Sequence, residues 1–256
     1  MFIGVAAHKR YEMPEQEIYH AIQVGSDLHE KISGYRQDNQ GENISSRNSN
    51  YSELTALYYL WKSVHSDVKG LVHYRRLLAS NSNRKKILEA NEINATIASG
   101  KIIIPKKRHY YIETNYTHYA HAHNKEDLDE TRNVINDKYP EYLIDFDNVM
   151  GKTSAHMFNM FIMDSRDFDS YCKWLFDILF ELENRIDITE YSVQEARVFG
   201  YISELLLDVW ISKNNVEFGE TNVIYVEGQH IFRKIFAFLQ RKFLGTGSTH
   251  ISSKID

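Results

Sequence analysis

The chain has one cysteine and three prolines among its 256 residues. A single thiol excludes an intrachain disulfide and any metal site built from several cysteines. Cys172 lies among apolar neighbours in FDSYCKWLF and reads as core. So few prolines, with only 12 glycines, leave little material for long disordered linkers. No apolar run approaches the roughly 20 residues that span a bilayer. The start, MFIGVAAHKRYEMP, does not read as a secretory signal: its apolar run is short and its basic residues follow that run. A cytoplasmic protein is expected. Net charge is -5, which argues against general affinity for nucleic acid.

Several motifs are missing as well. No Walker A loop and no G-x-G-x-x-G occur, so P-loop NTPase and Rossmann dehydrogenase readings lose their main support. There is no G-x-S-x-G elbow and no H-E-x-x-H pair of zinc ligands.

What is abundant is aromatic. Seventeen Tyr, 13 Phe and three Trp bring aromatic content to 13%. Tyr couples apolar area to a polar tip, which suits a site that stacks on rings or sugars and suits a Tyr-rich core equally. FIGVAA (2–7) and KIIIPKK (101–107) read as buried strands, GLVHYRRLL (70–78) as a strand, and IYHAIQVG (18–25) as a strand or helical turn. SELTALYYLWKSV (52–64) is an amphipathic helix with Ser52 as its N-cap. RKKILEANEINATIASG (84–100) reads as a helix ending near Gly100. HMFNMFIMD reads as a strand, and DLDETRNVINDKYPEYLIDFDNVM as two short helices around Pro140. DFDSYCKWLFDILFELENRI and YSVQEARVFGYISELLLDVWISKN are long helices, the second closed by Asn214-Asn215. The His-rich segment from Arg108 to Glu130 reads as irregular. Alternating strands and helices over the first 110 residues imply βαβ units and a mainly parallel sheet, with ligands at the carboxyl ends of the strands. The division expected is a domain over 1–225 and a tail over 226–256.

The strand GLVHYRRLL ends on an unusual quartet: His73, Tyr74, Arg75 and Arg76. On a strand, His73 and Arg75 would share one face and Tyr74 and Arg76 the other. Guanidiniums suit bidentate capture of phosphate or carboxylate, although a paired or solvated Arg is the plainer use. His8, Lys9 and Arg10 follow the first strand in the same way. His109, His118, His121 and His123 share one segment, but none stand four apart and no helix is expected to fix them. That segment reads as loop polarity or acceptor-sugar contacts rather than as a metal site. Ser192 and Glu195 fit an S-x-x-E capping box, and a carboxylate there can alternatively serve as a general base. Asn159 begins a strand or stands at a sheet edge near substrate.

HKRYEMP, DNQGENISSRNSNYSELTALYYLWK, GLVHYRRLL, KYPEYL, HMFNMFIM, YCKWLFDILFELENRI and EARVFGYISELLLDVWI together resemble the bacterial glycosyltransferase family long labelled domain of unknown function 4422. The resemblance covers about residues 2 to 225. It implies an α/β, GT-A-like single domain with a mainly parallel central sheet flanked by helices, followed by a C-terminal amphipathic helix. It also implies sugar transfer from a UDP-sugar, galactofuranose foremost, to a lipid-linked oligosaccharide in capsule, exopolysaccharide or O-antigen synthesis, with inversion. Where the family more usually has Arg after Ser-Glu, this chain has Leu205.

The roles that follow from the resemblance are these. His8 and Lys9 border the nucleotide. Asp38 accepts from uracil or ribose, and Asn43, Ser45 and Asn48 bind ribose and donor sugar. His73 and Tyr74 adjoin the donor while Arg75 and Arg76 meet its diphosphate. Glu195 is the first choice of base, then Asp147 and Glu204. His121, His123 and Asn159 line the acceptor side. GT-A folds commonly hold a metal on an Asp-x-Asp motif at the strand end that here reads HYRR. Arginine therefore replaces the cation in whole or part, and no cofactor is the favoured expectation; a divalent metal held by His73 with a distant acid is the alternative. A non-catalytic nucleotide-sugar or glycan-binding subunit of a polysaccharide assembly complex is the alternative. The tail segment IFRKIFAFLQRKFLG (231–245) sets Phe232, Phe236, Leu239 and Phe243 on one helical face beside Arg233, Lys234, Arg241 and Lys242. Such a helix packs on the domain or on a second subunit, or lies on the inner face of the cytoplasmic membrane; the membrane is the expected partner.

Overall fold

The computed structural model describes residues 1–226, of which Met1–Ile224 form one compact unit. In chain order the elements are β1 (Phe2–Ala7), β2 (Tyr19–Gln23), β3 (Arg36–Gln37), α1 (Asn48–Tyr51), α2 (Leu54–Ser63), β4 (Val68–His73), β5 (Arg76–Leu78), α3 (Ala90–Ala98), β6 (Ile102–Pro105), β7 (Arg108–His109), α4 (Asn115–Ala122), α5 (Lys125–Lys138), α6 (Leu143–Met150), β8 (Ser154–Ala155), β9 (Phe161–Asp164), α7 (Ser165–Arg185), α8 (Val198–Asn214) and β10 (Phe218–Thr221). The central sheet runs β10-β6-β9-β4-β1-β2-β3. Its neighbours are parallel except β9, which runs antiparallel to both β4 and β6. The mainly parallel α/β architecture is therefore present, with one reversed strand at its middle.

Both faces of the sheet are covered, which is why its strands read as continuous apolar runs. Alternation survives in three dimensions: Ile3, Val5 and Ala7 of β1 pack in one cluster and Ala6 in the other. The larger cluster joins α2, α7 and α8 through Leu57, Leu60, Phe168, Leu175, Phe199 and Leu206. Gly70 lets β4 approach β9; a Cβ there would stand 2.7 Å from the Phe161 carbonyl oxygen. Buried His156 ties α8 to the sheet: its Nδ1 bonds Asp208 and its Nε2 bonds Glu220 Oε1 of β10 at 2.9 Å.

Four local expectations are corrected. Ser52 does not cap α2; it sits in the left-handed region at φ 52, and α2 has no side-chain cap. Residues 84–88 are not helical, since helix forms only from Ala90. Part of the His-rich segment is helix, because Thr114 and Thr117 make a reciprocal capping box that starts α4. HYRR is not a continuing strand: β4 and β5 form a hairpin in which His73 pairs with Arg76. Tyr74 and Arg75 are its two turn residues, so the face alternation expected for the quartet does not apply. The Asn pair does close α8, with Asn215 in the left-handed conformation at φ 50.

Candidate active site

β1, β2 and β4 finish side by side, with Ala6 opposite His73 and Ala7 opposite Gln23. A cleft of about 980 Å³ opens beyond their carboxyl ends. Arg75, Arg76, Arg108 and Arg197 line it, against two carboxyl groups, Glu53 and Glu204. The excess of guanidinium fits a ligand carrying more than one negative charge.

Each guanidinium lies over an aromatic ring: Arg75 over Tyr74, Arg76 over Phe158, Arg108 over Tyr110 and Arg197 over Tyr201, at 5.1, 4.5, 5.4 and 5.6 Å from the centroid. Stacking of this kind leaves the planar edge of a guanidinium open for hydrogen bonds. Among the described residues Arg76 and Arg108 form no ion pair. Arg197 Nε donates to Ser52 Oγ at 3.0 Å, which is what the turned-in Ser52 does instead of capping. His8 rests edge-on against Tyr74, 5.2 Å between centroids. Partial burial, then Arg75 and Lys9, lowers its pKa and keeps the ring neutral.

Glu204 projects from α8 and is half-buried. Burial, and next the nearby Glu53, push its carboxyl up to about 8, against the opposing pull of Arg76, Arg108 and a Phe158 backbone hydrogen bond. No side chain among the described residues hydrogen-bonds it. Glu53, in contrast, is held: Asn159 Nδ2 donates to its Oε1 at 2.7 Å and to the Gly200 carbonyl at 3.1 Å. Ser203 Oγ in turn donates to Asn159 Oδ1 at 2.9 Å. Phe158 and Asn159 have φ of 84 and 50. Two successive left-handed residues are strained, and the strain points Phe158 at Arg76 and Asn159 at Glu53. Burial lowers the pKa of His73, with Glu53 opposing, so its ring is neutral too.

The sequence-derived candidates divide clearly. His8, Asn48, His73, Tyr74, Arg75, Arg76, His123 and Glu204 line the cleft. Asp38 does not: it is fully buried and accepts from the Gly25 and Ser26 amides at 2.7 and 2.9 Å and from Ser45 Oγ at 2.5 Å. Its oxygens, and Ser45 with them, brace the loop under the cleft. Asn43 does similar work, donating to the carbonyls of Asn39 and Gly41. Lys9 is exposed and outside the lining. Asp147 is outside the lining and held bidentate by Arg132, both bonds 2.7 Å. Glu195 makes the capping box that its spacing suggests, accepting from Ser192 Oγ at 2.8 Å. It is exposed and outside the lining, between lining residues Gln194 and Ala196. His121 pairs with Glu113 at 2.8 Å on an exposed surface. Asn159 lies behind Glu53 rather than on the cleft wall.

Sequence reasoning missed Glu53, Arg108 and Arg197. Each lay in a stretch assigned to something else: a helix start, an irregular segment and a capping box. Among the described residues no group of three or more His, Cys, Asp or Glu is arranged to hold a metal ion. The hairpin that the resemblance equates with Asp-x-Asp offers guanidinium where a divalent cation requires carboxylate, so the residues there do not fit one.

The sequence matches none of the curated proteins compared with it. The fold is similar to the structure of apo WbbM, a bifunctional glycosyltransferase, with a TM-score of 0.82 and 28% identity over 89% of this chain. The chain spans 45% of that protein's length. Residues 2–215 match the family described as a domain of unknown function, DUF4422, and the chain belongs to that family.

Proposed function

We propose that the cleft transfers a sugar from a nucleoside diphosphate to a hydroxyl of a glycan acceptor. The donor is a UDP-sugar, with UDP-galactofuranose first in line, and the acceptor a lipid-linked oligosaccharide. One observation carries this reading: the Glu204 carboxyl, pushed up to about 8 by burial and by Glu53 beside it, stands among guanidiniums at the strand ends of a fold shared with a glycosyltransferase.

The chemistry divides among the residues as follows. Transfer breaks the bond between the anomeric carbon and the diphosphate, and negative charge develops on the leaving oxygen. Arg75 and Arg76 at the hairpin neutralise that charge by direct hydrogen bonds, a role that needs no metal. Glu204, not Glu195, takes the proton of the attacking acceptor hydroxyl. A base works best when its pKa lies near the working pH, and burial beside Glu53 brings Glu204 there. Asn159 fixes Glu53, and Glu53 sustains the proton affinity of Glu204. Attack in line with the leaving diphosphate inverts the anomeric centre.

The test measures UDP release from a panel of UDP-sugars with a synthetic lipid-linked acceptor. Acceptor-dependent release is expected, and Glu204→Gln reduces kcat by roughly 10²–10⁴-fold in a folded protein. Donor binding with no turnover under any acceptor would refute the transferase reading and favour a binding subunit.

A further inference from the structure

Six buried side-chain polar atoms lack a hydrogen-bond partner among the described residues, and four belong to the cleft: His73 Nε2, Tyr110 Oη, Asn115 Oδ1 and Tyr119 Oη. Three of the four come from the short stretch 110–119. Asn115 and Tyr119 stand one turn apart on α4 and are 1% and 4% exposed. Native folds seldom leave a buried hydroxyl or amide oxygen unpaired, and three on one wall call for an occupant.

Asn115 is anchored from behind. Its Nδ2 donates to the Val149 and Ser154 carbonyls at 2.7 and 3.1 Å, which fixes Oδ1 as an acceptor. Tyr119 and Tyr110 add hydroxyls that donate or accept. Beside them lie two stacked pairs, Tyr110 on His118 at 3.9 Å and His123 on Tyr201 at 4.1 Å. Hydroxyls and an amide oxygen next to flat aromatic surface match a ring that presents alternating hydroxyls and a C–H face. Arg108 and Arg197 stack on the rings of Tyr110 and Tyr201 at the edge of this wall, but the charged side chain that acts on Tyr119 is the Asp127 carboxylate and no guanidinium does. The Tyr119 end of the wall therefore favours an uncharged group over an anion.

We infer that the α4 wall, through Tyr110, Asn115 and Tyr119 with the His123–Tyr201 pair, is the binding site of a neutral sugar ring of the acceptor glycan. Glu204 is within electrostatic reach of both this wall and the hairpin: it interacts with Arg76 of the hairpin and with Tyr110 and Tyr201 of the wall. An acceptor ring on the wall therefore presents a hydroxyl toward the carboxyl that would deprotonate it. That the ring belongs to the acceptor rests on the transferase reading above; that it is a neutral sugar rests on the wall alone.

The experiment uses the full chain and Tyr119→Phe, with saturation-transfer NMR on the methyl glycosides of galactose, glucose and mannose. At least one glycoside is expected to receive saturation and to keep it when UDP is added. Tyr119→Phe should weaken that signal at least fivefold while UDP affinity is unchanged. It should also melt no lower than wild type, because the hydroxyl it removes has no protein partner to lose. With the lipid-linked acceptor, the acceptor KM should rise about tenfold or more in the variant and the donor KM should not, roughly the loss of one good hydrogen bond. Sugar binding lost in the variant, even if no transfer is ever detected, would uphold the wall and sink only the transferase reading. The inference fails if no glycoside binds, if Tyr119→Phe binds as wild type, or if the variant melts lower, which would mean that the hydroxyl serves the fold. Displacement of the glycoside by UDP-galactose but not by UDP would give the wall to the donor sugar and overturn the acceptor assignment.

Discussion

Glu204 has two consequences that separate its chemistry from its cost. As a base it works only when ionised. kcat/KM should therefore rise with pH through about 8, and that limb should vanish in Glu204→Gln, which a pH–rate profile reads directly. The same shift acts on stability. The folded chain keeps this proton to about pH 8, whereas the unfolded chain releases it near the ordinary value of 4.5. Between those values the folded state binds more protons, so this group's contribution is complete below 4.5 and is lost as pH rises through about 8. Glu204→Gln should flatten that decline and melt above wild type at alkaline pH, although it is the less active protein. Thermal melts across pH check this, and a variant as pH-sensitive as wild type would place the titrating group elsewhere. Asn159 differs in kind, since it touches Glu53 rather than substrate. Asn159→Gly keeps the left-handed backbone but releases Glu53, frees the Gly200 carbonyl from the Asn159 amide and leaves the Ser203 hydroxyl with that carbonyl as its one remaining acceptor. It should cost about 1–3 kcal/mol of stability and lower kcat with little change in donor KM. A donor KM that rises as steeply as kcat falls would contradict the positioning role.

The hairpin between β4 and β5 is the element on which the donor reading depends. Its turn residues, Tyr74 and Arg75, and its closing pair, His73 and Arg76, all face the cleft because the strand stops just as it leaves the sheet. A continuing strand would have sent alternate residues to opposite faces. With guanidinium at this strand end, turnover is expected to persist in EDTA. Complete loss under chelation, restored by Mn²⁺, would remove arginine as the neutralising group. Arg76→Lys keeps the charge but loses the planar fork over Phe158, and should raise the donor KM about tenfold or more. Strand and helix identities at this scale were largely legible, because buried strands and amphipathic helices announce themselves by period: β1, β4, β6, α2, α7 and α8 stand where their patterns put them. α4 was not legible. Its Asn-Tyr-Thr-His-Tyr-Ala-His-Ala stretch has no clean apolar stripe, and what starts it is a Thr–Thr capping box rather than the Ser/Thr–Glu form. The cleft was legible only in part. Asp38, Asn43 and Ser45 look like ligand contacts in a polar loop, but the loop uses them on itself. Glu53, Arg108 and Arg197 become neighbours only when residues far apart in sequence converge, which no local spacing encodes.

At the scale of the whole molecule, the chain couples a compact unit to a sequence of different character. No helix among the described residues is long and apolar enough to cross a membrane. The tail segment IFRKIFAFLQRKFLG lies outside the described residues, so its pattern alone speaks for it. Against a net charge of -5 it gathers Arg233, Lys234, Arg241 and Lys242 beside four large apolar residues at helical spacing. Anionic lipid attracts such a segment by charge and retains it by apolar burial, and each basic residue near the surface contributes about 1 kcal/mol. The proposed acceptor supplies a reason for that attraction, since a lipid-linked glycan stays at the bilayer surface and a transferase held there meets it at high local concentration. Deleting residues 230–256 should therefore abolish co-sedimentation with vesicles containing anionic phosphatidylglycerol, and salt should release the full chain from them. Turnover with a soluble acceptor should survive the deletion, because Glu204 and the four cleft arginines all precede it, while turnover on lipid-linked acceptor in vesicles should fall. Equal, weak sedimentation of both forms would refute the membrane role. Loss of soluble-acceptor activity on deletion would instead give the tail a part in the fold or the cleft.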